Sequence, residues 1–142
     1  PKTDAPSRRG NPASGGNHRP GGDILDLHNY PSPDMFLFYP KRVNVWGEYG
    51  GIGLPVENHL WGNKRNWGYV QFKNSDEVTA EYVKYANILK DYVKRGFSAA
   101  VYTQTPDVEG EVNCLMTYDH KVIKIDEAAV KKANQSVINE LK

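Results

Sequence analysis

The chain has 142 residues, enough for one domain with its own core. Its 18 Lys and Arg stand against 17 Asp and Glu, a formal net charge of +1, so no overall field favours nucleic acid or an anionic membrane surface. Cys114 is the one cysteine, which excludes an internal disulfide, and no apolar run approaches the roughly 18 residues of a membrane span. Nine Tyr and three Trp pair apolar faces with polar edges, a composition that suits sugar rings as well as cores and interfaces.

No signal peptide is visible, and the chain opens on Pro1, so a processed piece or a cut from something longer is expected. Residues 1–22 are rich in Pro and Gly, have no periodicity, and read as an irregular lead-in to a domain over 23–142. Arg8, Arg9 and Arg19 have no aromatic between them, so this segment reads as a linker rather than an RNA-binding arm. Residues 23–28 read as a short buried strand, with Asp26 and His28 on one face and pointing toward the same end as Tyr30. Pro31, Pro33 and Pro40 prevent a long helix before the next strand, at 43–47.

The chain is organised around residues 43–53, where a β-branched strand runs into Glu48 and then into Gly50, Gly51 and Gly53. Strict alternation puts Asn44, Trp46 and Glu48 on one face and Val43 and Val45 on the other. A carboxylate at the end of a buried strand, beside glycines that admit a ligand, is where α/β enzymes place chemistry. A strand-end Glu in a surface turn has the same appearance. The connection over 48–73 is longer than an ordinary loop and carries His59, Trp61 and Trp67.

A helix follows. Asn74 caps it with Glu77 as capping-box partner, Val78, Tyr82, Tyr85, Ala86, Leu89 and Val93 form its apolar stripe, and Gly96 stops it. Residues 97–103 read as a strand, which makes strand–helix–strand a βαβ unit with parallel strands. A second long loop runs from Gln104 to about Ile125, with Asp107, Glu109 and Glu111 alternating along what reads as a solvated segment. The last helix is capped by Asp126 and is expected to bury Val130, Ala133, Val137, Ile138 and Leu141. Long loops at the carboxyl ends of strands and a tight return at the other end point to an α/β barrel or doubly wound sheet.

Several motifs carry nothing. The glycines after 46 lack the spacing of a phosphate cradle, and the histidines lack the spacing of a metal site, so no metal and no cofactor are expected. Asn134-Gln135-Ser136 matches a glycosylation acceptor but lies inside a predicted helix, and Cys114 has no arranged base. What remains is Glu48 in an aromatic-rich cleft with Tyr30, Trp46, Tyr49, Trp61, Tyr102 and His28. Glycoside hydrolysis uses such a set: a carboxylate at an oxocarbenium-like centre, aromatic faces against the sugar, and polar edges on its hydroxyls.

Asp23-Ile24-Leu25-Asp26-Leu27-His28-Asn29-Tyr30-Pro31, Gly47-Glu48-Tyr49-Gly50-Gly51 and Val101-Tyr102-Thr103-Gln104, followed by Asp107-Val108-Glu109-Gly110-Glu111 and Leu115-Met116-Thr117-Tyr118-Asp119, closely resemble the end of the catalytic domain of family 2 glycoside hydrolases. These are the β-galactosidase, β-glucuronidase and β-mannosidase relatives, particularly their bacterial polysaccharide-degrading branch. Asn11-Pro12-Ala13-Ser14-Gly15 extends the likeness into the lead-in. The resemblance implies the C-terminal portion, about strands 5 or 6 to 8, of a (β/α)8 TIM barrel. Its sixth, seventh and eighth strands would lie near 23–28, 43–47 and 97–103.

The resemblance further implies a retaining enzyme cleaving β-glycosidic bonds, with Glu48 as nucleophile and Asp26 and Gln104 joining the aromatic set around the sugar. The family's acid/base is the Glu of an Asn-Glu pair ending the fourth strand. The one Asn-Glu here, Asn139-Glu140, lies in the final helix, so the acid/base is expected in a missing N-terminal part of the barrel. By itself the chain is then expected to be inactive and to associate with itself. A periplasmic or secreted bacterial enzyme is what the resemblance suggests for its location. Two other readings stay open: a non-catalytic carbohydrate-binding piece using the same aromatics, and a structural α/β piece.

Overall fold

The computed structural model describes residues 22–34, 37–62 and 65–141. Strands β1 (Ile24–Asn29), β2 (Val43–Gly50), β3 (Ile52–Gly53) and β4 (Val70–Gln71) precede helix α1 (Ser75–Lys94), strand β5 (Phe97–Thr103) and helix α2 (Glu127–Asn139). β1, β2 and β5 form a parallel sheet in that order, and β3 and β4 pair in parallel as a second, two-stranded sheet. β2 and β5 are direct neighbours joined through α1, the expected βαβ unit. The lead-in, with Asn11–Gly15, lies outside the described residues apart from Gly22.

The expected barrel portion is not what the chain forms. Its described residues contain two helices and a few parallel strands in two small sheets, whereas three or four barrel strands would carry several helices, one after each strand. The β1–β2 connection shows the physical reason. Pro31, Pro33 and Pro40 remove amide donors along it, and its described residues contain no helix. β2 passes through Gly50 and Gly51 into the short β3, so the glycine-rich turn begins a second sheet.

The caps behave as their sequence dictates. Asn74 accepts a hydrogen bond from the Glu77 amide at 2.9 Å, and Glu77 Oε2 accepts from the Lys73 amide at 2.9 Å. Asp126 accepts from the Ala129 amide at 3.0 Å. α1 lays Val78, Tyr82, Tyr85, Leu89 and Tyr92 on Leu25, Leu27, Trp46, Tyr49 and Phe97, which makes one core on one face of the three-stranded sheet. α2 packs on α1 and adds Val130 and Ala133. Ile138 and Leu141, expected in the core, are 51% and 62% exposed. They line an apolar groove between α2, α1 and β5.

Candidate functional site

An irregularity in strand pairing creates the site. Leu27 pairs with Trp46, yet His28 pairs with Glu48, so Gly47 is an extra residue in β2. β5 shows the same slip, with Ala100 opposite Trp46 and Tyr102 opposite Tyr49. The bulge breaks the alternation that would put Trp46 and Glu48 on one face. Trp46 turns into the core, and Glu48 turns to the side of Asp26 and His28. A Cβ at position 47 would overlap the Asp26 carboxylate, so any other residue there would have to displace that side chain.

On this face the Tyr30 hydroxyl donates a short hydrogen bond to Oε2 of Glu48. His28 Nδ1 lies 3.4 Å from the same oxygen, and His28 Nε2 lies 3.4 Å from Asp26 Oδ2. Burial, followed by the hydrogen bond to Glu48, pushes the Tyr30 hydroxyl up to about 12, so it stays a donor at neutral pH. Tyr30 stacks on Tyr69, with ring centroids 4.1 Å apart and planes within 5°. Glu48 is 41% exposed at its side chain, open to a ligand from solvent.

The structure divides the sequence-predicted set. Asp26, His28 and Tyr30 gather at Glu48. Trp46 is fully buried between Tyr92 and Phe97, which corrects its expected place beside a sugar. Tyr49 is also a core residue, edge-on to Tyr85 and Tyr102. Tyr102 points its hydroxyl inward, accepting from the Ile52 amide at 3.3 Å and donating to the Asn113 carbonyl at 3.4 Å. Trp61 is 65% exposed and packs edge-on against Tyr118, beside the His59–Asp119 pair. Asp119 is held well below the usual carboxylate range by the Thr117 hydroxyl first and by His59 next.

The loop over 104–125 is more ordered than an alternating acidic run suggests. Asp107 is buried, and Lys124 Nζ lies 2.7 Å from its Oδ1 and 2.5 Å from its Oδ2. Lys124 also donates to the Val112 carbonyl at 3.0 Å, and the Cys114 amide donates to Asp107 at 3.1 Å. Burial pushes Asp107 up and Lys124 down, while their mutual attraction opposes both shifts. Burial likewise raises the Cys114 thiol to about 12, so it is no nucleophile at neutral pH.

This anchored loop presents Glu111, which alternation alone marks only as part of a solvated segment. Its Oε1 accepts from Asn113 Nδ2 at 3.0 Å and its Oε2 from Gln104 Nε2 at 3.5 Å. The signal available was Asn113 two residues on, an amide set to hold a carboxylate. Among the described residues no group of three or more His, Cys, Asp or Glu is arranged to hold a metal ion, and no helix is long and apolar enough to cross a membrane.

No protein-family model matches the chain, and no curated protein matches it.

Proposed function

We propose that this chain is the nucleophile-bearing part of a retaining β-glycoside hydrolase similar to family 2, with Glu48 as the nucleophile. The supporting observation is the arrangement at one oxygen. Tyr30 and His28 both address Oε2 of Glu48. Oε1 is then the atom to attack an anomeric carbon. A C–O bond forms from Oε1 to that carbon as the glycosidic C–O bond breaks, and water later hydrolyses the glycosyl ester. The leaving oxygen needs a proton from a second carboxyl, about 5–5.5 Å from the first in retaining enzymes. The reading assigns that group to a further part of the enzyme, so the chain alone should not turn over aryl β-glycosides.

Covalent trapping tests this reading without the acid. A 2-deoxy-2-fluoroglycosyl fluoride carries a leaving group that departs without protonation, and its fluorine slows breakdown of the ester. Incubation with gluco-, galacto- and manno-configured probes should add one glycosyl unit to the chain, mapped by peptide mass to Glu48 and absent in Glu48→Gln. No adduct from any of the three, or an adduct on another residue, overturns it. The alternative of a non-catalytic sugar-binding surface would bind sugars and give no adduct.

A further inference from the structure

We infer that Trp67, Tyr69 and Glu111 form a second sugar subsite adjoining Glu48, so that the ligand is an oligosaccharide rather than a single sugar. The inference rests on the reading of Glu48 as a glycosidase nucleophile and extends it to the length of substrate held.

The geometry is a continuous wall. Tyr30, bonded to Glu48, stacks on Tyr69, and Tyr69 meets Trp67 edge-on with centroids 5.6 Å apart. Trp67 and Tyr69 are 45% and 49% exposed, so faces large enough to cover a pyranose lie open beside the carboxylate. Backbone pairing fixes Glu111 to the same wall: the Trp67 amide donates to the Gly110 carbonyl at 2.8 Å, and the Val112 amide donates to the Trp67 carbonyl at 2.9 Å. Position 51 is a glycine with φ of +82°, and a Cβ there would overlap the Tyr69 ring, so the turn after β2 seats this aromatic.

Glu111 supplies the polar half. Asn113 and Gln104 each hold one of its oxygens, leaving lone pairs on both to accept from neighbouring hydroxyls of a sugar. Asn113 is itself fully buried, so its amide is a fixed support. Such a carboxylate recognises a vicinal diol, while the exposed ring of Trp67 covers the apolar C–H face of the same unit and Tyr69 borders it. The hydroxyl of Tyr69 is raised mainly by burial, with the charges of Glu111 and Glu48 adding to it, as expected of a ring set between both carboxylates.

The test is binding by the chain of β-linked gluco-, galacto- and manno-oligosaccharides of two to four units, each compared with its monosaccharide by titration calorimetry. At least one oligosaccharide should bind about tenfold or more tightly than its monosaccharide. Trp67→Ala and Glu111→Gln should each remove about that tenfold advantage of the oligosaccharide over its monosaccharide. Circular dichroism of both variants should match the parent. Oligosaccharide binding that neither substitution weakens, or no gain over the monosaccharide, overturns the subsite while leaving trapping at Glu48 untouched. No binding of any sugar, with no glycosyl adduct on Glu48, overturns both.

Discussion

His28 stands between two carboxylates, its Nε2 3.4 Å from Asp26 Oδ2 and its Nδ1 3.4 Å from Glu48 Oε2. Asp26 and His28 are two residues apart on β1 and therefore share a face, whereas Glu48 reaches them because Gly47 shifts the register of β2. One extra glycine thus assembles a site from two neighbouring strands. The Tyr30 hydroxyl completes it from the turn after β1.

Tyr30→Phe removes the donor to Glu48 and keeps the ring on Tyr69. Under the proposed function, trapping at Glu48 by a fluoroglycosyl fluoride should slow by about 10- to 100-fold, with the stacked geometry retained. An unchanged trapping rate would remove Tyr30 from the chemistry.

The same residue gives a pH dependence with a definite sign. Its folded pKa of about 12 lies above the ordinary value of 10.0, so the fold favours the protonated phenol. That contribution is complete below pH 10 and is lost as pH rises through about 12. Between these values the stability of the parent should fall more steeply than that of Tyr30→Phe, read by urea melts at stepped pH. Parallel slopes would show that Tyr30 is not held as described.

The two tryptophans expected beside a sugar should now behave differently. Trp46 is fully buried, so Trp46→Ala should cost about 3–5 kcal/mol of stability. Trp61 is 65% exposed, and Trp61→Ala should stay within about 0.5 kcal/mol. Denaturant midpoints decide this, and similar losses at both positions would contradict the bulge.

Much of the architecture could be read in the sequence because it is written locally. Asn74 and Asp126 cap helices through their own side chains, and the stripe from Val78 to Leu89 has the period of one helical face. The gathering of Asp26 and His28 follows from alternation along one strand. Alternation failed at Trp46 and Glu48, where a single unpaired residue reverses the faces, and no periodicity marks such a residue in advance. The barrel expectation failed for a different reason. Short motifs report their own backbone, while the number of helices and the closure of a sheet depend on the connections between them. Asp107 looks solvated in the sequence because its partner, Lys124, is 17 residues away.

That buried pair should show strong coupling. Lys124→Met leaves the Asp107 carboxylate buried without its cation and should cost about 3–5 kcal/mol. Adding Asp107→Asn removes the charge while keeping an acceptor for the Cys114 amide, so the double variant should recover at least about 1 kcal/mol relative to the sum of the singles. Urea unfolding of the four proteins measures the term. Additive losses would mean that the two side chains do not meet in solution.

The open sheet gives the last prediction. Leu25 and Leu27 are buried in the core, but Ile24, Val43 and Val101 are 38%, 47% and 55% exposed. Parallel strands are ordinarily covered on both faces, and among the described residues β1 and β5 are the edges of the three-stranded sheet. Burying a side chain of this size contributes roughly 1.5–3 kcal/mol, so several together weigh heavily against a domain margin of about 5–15 kcal/mol. A second copy of the chain offers the same uncovered valines and the same strand edges, and two such faces are complementary by symmetry. At micromolar concentration the chain by itself should therefore sediment as more than a monomer. Val43→Lys with Val101→Lys should return it to monomer, since two cations cannot be buried unpaired against a second copy. A parent chain that sediments as a monomer and unfolds cooperatively would show that the exposed valines are stable in water and that the sheet edges need no partner.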